Sequence, residues 1–217
     1  GSSAVWTGQR MIIFGGVRDD ERVFGRTMIY DIENDEWSFF DGGPARYDHT
    51  AVWTGDDMIV FGGRGRGHAL RNDVWILKNA LSSPVWEEMI KNSESSTVPE
   101  KRSNAIAAYD KDDDQMLIFG GNGIGKVVNN DLWVLKDAKK DRVNKETFWR
   151  QLFPRGETPP IREDFAGVYN EKDTLVIFGG EMKKGRRGLL NDTWKLIFTD
   201  DGDNNDDDDK PKTPANV

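Results

Sequence analysis

The chain has 217 residues, a formal net charge of -8 and no cysteine, a composition with room for one or two ordinary globular domains. No run approaches the roughly 20 apolar residues that a membrane-spanning helix needs, and no basic leader with an apolar core opens the chain, so a cytoplasmic protein without membrane contact is expected. The acidic balance argues against coating nucleic acid, which takes a cationic excess to release phosphate counterions. The lack of cysteine removes disulfides, thiolate metal sites and a cysteine nucleophile together.

In chain order, the first predicted strand pair is Ala4-Val-Trp-Thr-Gly8 followed by Met11-Ile-Ile-Phe-Gly-Gly16. It returns 47 positions later as Ala51-Val-Trp-Thr-Gly55 and Met58-Ile-Val-Phe-Gly-Gly63. Two further copies of the second element follow, Met116-Leu-Ile-Phe-Gly-Gly121 and Leu175-Val-Ile-Phe-Gly-Gly180. After each glycine pair comes a polar loop, and three copies then read Asn-Asp-x-Trp: Asn72-Asp-Val-Trp75, Asn130-Asp-Leu-Trp133 and Asn191-Asp-Thr-Trp194. The first copy substitutes Met28-Ile-Tyr30, and a second aromatic closes three of the units at Trp37, Trp86 and Trp149.

Each unit therefore holds about four short strands. In the second unit, strand a covers Thr50 to Thr54, b Met58 to Phe61, c Asp73 to Lys78 and d Val85 to Met89, and hairpin-sized connections such as Gly55-Asp56-Asp57 make the pairing antiparallel. The pairs Gly15 and Gly16, Gly62 and Gly63, Gly120 and Gly121, and Gly179 and Gly180 end strand b where a side chain would collide or φ must turn positive. Trp37, Trp75, Trp86, Trp133, Trp149 and Trp194 are expected to fill the wedge between neighbouring sheets.

Phe before Gly-Gly, then a spaced Tyr or Trp, then a second Trp, resembles the kelch repeat over nearly the whole chain. The resemblance implies an all-β fold, a kelch-type β-propeller with four blades of antiparallel four-stranded sheet. The blades are expected at 1–43, 44–98, 99–158 and 159–199, the last lacking its outer strand, with 200–217 an acidic, disordered loop or tail. Aligned on the second unit, the first begins at a strand a, and rings of this family usually hold more than four blades. The chain is thus expected to be a segment of a longer propeller or to self-associate to close the ring, with a closed four-bladed ring as the alternative.

Some kelch-like propellers are copper radical oxidases whose site needs a cysteine joined to a tyrosine, and this chain has no cysteine and only His49 and His68. The Glu-x-x-x-Asp-x-x-x-His iron motif of another kelch branch is missing, since Ala45 and Arg64 stand four residues before the two histidines. Gly62-Gly-Arg-Gly-Arg-Gly67 opens toward a strand rather than a helix, and Asp200 to Asp209 lacks the ligand spacing of a calcium loop. No catalytic residue, metal or cofactor is expected, and the resemblance implies a non-enzymatic scaffold that binds protein partners. A propeller acting on a carbohydrate or other small ligand at the channel mouth is the alternative.

Strand parity sorts the loops. The b-to-c loops and d-to-a connections emerge on one face of the disc, where Arg64, Arg66 and Arg71, Lys126, and Lys183, Lys184, Arg186 and Arg187 lie, together with Arg46, Arg102 and Arg162. The a-to-b and c-to-d turns carry mostly Asp and Glu. The first face is therefore the expected partner-binding surface, basic and suited to acidic or phosphorylated segments. Arg46, Arg102 and Arg162 also recur after a proline, which gives them a second reading as backbone-bonding residues at blade junctions.

Overall fold

The structure is a computed structural model that describes residues 1–139, 147–170, 172–182, 188–199 and 213–216. Four antiparallel sheets follow one another along the chain, each a meander in sequence order. The first holds β1 (Ser3–Trp6), β2 (Arg10–Phe14), β3 (Thr27–Asp31) and β4 (Glu36–Phe40), and the second β5 (Thr50–Trp53), β6 (Met58–Phe61), β7 (Val74–Lys78) and β8 (Val85–Ile90). The third holds β9 (Ile106–Asp110), β10 (Gln115–Phe119), β11 (Leu132–Lys136) and β12 (Phe148–Leu152). The fourth holds β13 (Ala166–Tyr169), β14 (Thr174–Phe178), β15 (Thr193–Thr199) and β16 (Thr213–Asn216). The innermost strands β1, β5, β9 and β13 lie side by side in that order, which is the blade arrangement of a β-propeller.

Strand alternation sends every second side chain of a blade to each neighbour, so the core is divided among the blade interfaces. Val5, Ile12, Phe14 and Ile29 of the first blade meet Met58, Val60, Leu77 and Ala80 of the second. Ile59, Phe61 and Ile76 of the second meet Met116, Leu135 and Trp149 of the third, and Leu117, Phe119 and Val134 of the third meet Leu175, Ile177 and Phe198 of the fourth. Phe before Gly-Gly is the plug of each interface. Trp86 lies 4.4 Å from Phe14 and Trp149 lies 5.2 Å from Phe61, ring centre to ring centre.

Two sequence expectations need correction. The fourth blade does not lack its outer strand: β16 pairs with β15 in the register Leu196 with Asn216 and Thr199 with Thr213, so 200–217 is not a tail throughout. Thr-Pro-Ala-Asn has little β propensity, but an outer strand has a solvent side where Pro214 costs no ladder bond, and pairing satisfies the open backbone edge of β15. The second correction concerns Trp37, which fills no wedge. It is 46% exposed on the side of the first blade that faces away from the second, stacked beside Phe39. The Asp200 to Asp209 run lies outside the described residues.

Candidate functional site

Both halves of the candidate site grow from the stretch that leads from one blade into the next. In the second blade the Arg46 guanidinium donates to both carboxylate oxygens of Asp73 at 3.0 and 2.9 Å, to the Gly62 carbonyl at 2.8 Å and to the Pro44 carbonyl at 3.2 Å. The Trp75 indole donates to the same Asp73 carboxylate at 3.0 Å. Arg102 repeats this with Asp131, Gly120, Glu100 and Trp133, and Arg162 with Asp192, Gly179, Pro160 and Trp194.

Each latch also reaches the preceding blade through its backbone. The carbonyls of Arg46, Arg102 and Arg162 accept from the amides of Gly16, Gly63 and Gly121 at 2.8, 2.8 and 3.2 Å. The first glycine of each pair has φ near +70°, and a Cβ on Gly15 or Gly62 would stand 2.5 or 2.8 Å from the Arg46 or Arg102 carbonyl. The glycine pair is thus needed both for its backbone twist and for the room it leaves to the next blade's arginine.

Arg46, Arg102 and Arg162 are consequently fully buried and spent on blade closure, which overturns their expected place among the partner-binding residues. Burial pushes the Arg46 pKa below the ordinary guanidinium value, with Asp73 opposing the shift. For Asp131 burial works toward the neutral acid, but the Arg102 guanidinium and the Trp133 indole outweigh it and hold the pKa below the usual carboxylate range. The Arg162 hydrogen bonds bring Asp192 down to about 2. His49 beside the first latch is driven down to about 3 by burial and then by the Arg46 charge. Its Nε2 meets the Ser3 hydroxyl at 2.7 Å, while its Nδ1 is buried with no hydrogen-bond partner.

The Asn-Asp pair before strand c of the second blade ties that blade together. Asn72 clamps the chain after β8 through the Ser93 amide and the Ser93 and Pro99 carbonyls, and Asp73 belongs to the latch. Sequence reasoning missed the Arg to Asp pairing, although the signal was present: three prolines each followed by an arginine, and an Asp before strand c in the same three blades. The first blade has Arg26 where the others have the latch Asp, as its backbone shows: the Arg26 carbonyl accepts from Gly15 as the Asp73 carbonyl does from Gly62.

On the same face Arg64, His68 and Lys101 line a cavity of about 950 Å³ together with Tyr47, Asp48, Asn104, Asn122 and Glu163. Arg64 follows the glycine pair and sits half-buried, 3.9 Å from Asp48. Arg66 and His68 belong to a single exposed 3-10 turn, Arg66–His68, and a matching turn, Ile124–Lys126, follows the glycine pair of the third blade. Tyr47 hydrogen-bonds His68 Nδ1, and Lys101 pairs with Glu94. Arg71 turns toward Asp73, 3.8 Å away, rather than to the cavity. Glu163 and Asp48 in the same lining make it polar in both signs rather than uniformly basic. Lys183, Lys184, Arg186 and Arg187 lie outside the described residues.

On the opposite face several acids serve their own turns. Asp110 accepts from the amides of Asp112 and Asp113, Asp57 accepts from the Asn79 amide, and Tyr109 donates to Asp114. Among the described residues no three His, Cys, Asp or Glu stand together as a metal site, and no helix is long and apolar enough to cross a membrane.

Comparison with known proteins agrees with this geometry. The F-box/kelch-repeat protein At1g51550 of Arabidopsis thaliana is 28% identical over 215 residues, covering 90% of this chain and 42% of the relative, so the chain spans less than half of that protein. The solved structure of YjhT superposes with a TM-score of 0.66 at 16% identity, over 92% of this chain and 66% of that one, a likeness of fold. Residues 1–202 match the KLHDC2/KLHL20/DRC7 kelch-repeats domain. The chain belongs to that kelch-repeat family, and its four sheets are kelch blades of a β-propeller.

Proposed function

We propose that this propeller is a protein-interaction module that receives an acidic or phosphorylated segment of its partner at the b-to-c loop face. Membership of a kelch-repeat family supports a general protein-interaction role. The observation that carries the finer reading is the cavity of about 950 Å³ bounded by Arg64, His68 and Lys101, with Arg66 exposed in the same turn as His68. Arg64 and Lys101 stand where the other blades carry no basic residue, and connecting loops on a rigid scaffold commonly carry binding. Charge-assisted hydrogen bonds from guanidinium to carboxylate or phosphate would supply the specificity. Lys183, Lys184, Arg186 and Arg187 belong to the same b-to-c loop series by sequence and extend the surface in this reading.

The test is a titration of a fluorescent Asp- and Glu-rich peptide, its phosphoserine counterpart and a Lys-rich control into the chain and into an Arg64→Glu, Arg66→Glu variant. Saturable binding of the acidic peptides, weakened about tenfold or more by the double reversal and by added salt, is expected. Equal binding by the variant, or equal binding of the Lys-rich control, would contradict the proposal.

A further inference from the structure

The second and third blades build the same turn after their glycine pairs from different side chains. In the second, the turn Arg66–His68 passes through Gly67 at φ 66° and ψ 24° and ends at Ala69. In the third, Ile124–Lys126 passes through Gly125 at φ 69° and ψ 17° and ends at Val127. The backbone is therefore indifferent to whether Arg66 and Ala69 or Ile124 and Val127 hold these places. Yet Ile124 and Val127 are each 57% exposed, an apolar pair that folding neither buries nor requires.

That turn stands between two cavities. The mouth cavity of about 950 Å³ lies on one side of it, and a second of about 810 Å³ is lined by the stretch from Ser93 that leads into the third blade and by Val127, with Trp133 and Gln151. Lys101, Ile124 and Val128 line both, so the two adjoin across one shared wall. Their charges differ. The mouth carries Arg64 and His68, whereas among the described residues the second cavity has no cation in its lining except the shared Lys101, which Glu94 holds. Asp131 there is spent on Arg102, which leaves Glu100 as the exposed acid of that lining. The third blade also leaves polar groups over, although buried ones are normally satisfied: Asn122 Oδ1 beside the first cavity and Asn129 Nδ2 beside the second are buried with no hydrogen-bond partner.

We infer, on the footing that the mouth takes an acidic residue, that the two cavities form one groove for an extended partner segment with three features in order. Its acidic residue lies at Arg64 and His68, an apolar one lies on Ile124 and Val127, and a basic one lies at Glu100. An apolar side chain laid on the turn removes exposed apolar area from water on both partners, and a cation at Glu100 meets the one open acid of the second cavity. A segment acidic throughout would bring like charge to Glu94 and Glu100 and is disfavoured there. The groove thus selects a segment of mixed sign over a uniformly acidic one.

Capped fluorescent peptides of equal length, titrated into the full 217-residue chain, test this. One carries two aspartates followed only by glycine and serine, a second adds a leucine, and a third adds the leucine and then two lysines, each made in both chain directions and compared in the tighter one. Each addition should tighten binding about threefold or more. Ile124→Ser combined with Val127→Ser should erase the gain from leucine, and Glu100→Lys the gain from the lysines. The melting temperature of these variants should stay at the parent value, because all three side chains are exposed. Binding of the aspartate peptide with no gain from leucine or lysine, or gains that survive these substitutions, would overturn the groove and leave the acidic seat at the mouth standing. Failure of all three peptides to bind would overturn both.

Discussion

Two sets of arginines emerge on one face of the disc and meet opposite fates. Arg46, Arg102 and Arg162 stand in register, each after a proline, and every one is buried on an Asp of its own blade. Arg64 stands where the other blades have Val17, Asn122 and Glu181 and lines the cavity, and Arg66 is exposed in the turn that follows it. The difference teaches that in a repeat protein recurrence reports what folding requires, while function is carried where the copies disagree.

The sharpest way to break this comparison is to remove a latch. Arg46→Ala strands the Asp73 carboxylate, which is 2% exposed, and should cost about 3 to 5 kcal/mol in urea unfolding. Arg102→Ala and Arg162→Ala should cost progressively less, because Asp131 and Asp192 are 23 and 34% exposed and water screens them. Equal costs would deny that burial sets the scale.

Next in size are the glycines. Gly62→Ala forces a residue with φ +66° into the Arg102 carbonyl and should cost about 2 to 4 kcal/mol. Gly179→Ala has the same φ but meets only the Leu190 carbonyl at 3.2 Å among the described residues, so it should cost about 1 to 2 kcal/mol. The two values, measured side by side, separate backbone twist from contact with the next blade.

A third effect follows pH. His49 is neutral when folded, with its pKa held at about 3, whereas in the unfolded chain it titrates near its ordinary value. The unfolded state therefore binds more protons as pH falls, so the stability that His49 contributes is complete above about pH 6.5 and is lost progressively toward pH 3. Urea midpoints of His49→Gln against the parent should converge as the pH is lowered through that window; parallel curves would contradict it. The smallest effect belongs to Arg64→Gln, which should leave stability within about 0.5 kcal/mol of the parent because its contact with Asp48 is long and partly solvated.

Much of the fold was legible in the sequence, because Phe before Gly-Gly and the spaced Trp recur with alternating apolar residues that fix both strand identity and facing. The outer strand of the fourth blade was not, since Thr213-Pro-Ala-Asn216 owes its β form to the edge it covers rather than to its own propensity. The exposure of Trp37 was hidden for a related reason: its local sequence is that of a buried Trp, and only the neighbour decides. Of the site, the loop face and the mouth position of Arg64 followed from parity. The burial of Arg46, Arg102 and Arg162 did not, because an exposed cation and a bidentate internal one look alike until the Asp some 30 residues on is brought opposite by the sheet.

The most direct measurement compares Arg46→Gln with Arg64→Gln in parallel urea unfolding and acidic-peptide titration. The account predicts that Arg46→Gln loses stability and, under conditions where it is folded, binds the peptide as the parent does, while Arg64→Gln unfolds as the parent does and binds more weakly. Arg64→Gln unfolding early with peptide affinity intact, or folded Arg46→Gln losing the peptide at unchanged stability, would contradict it.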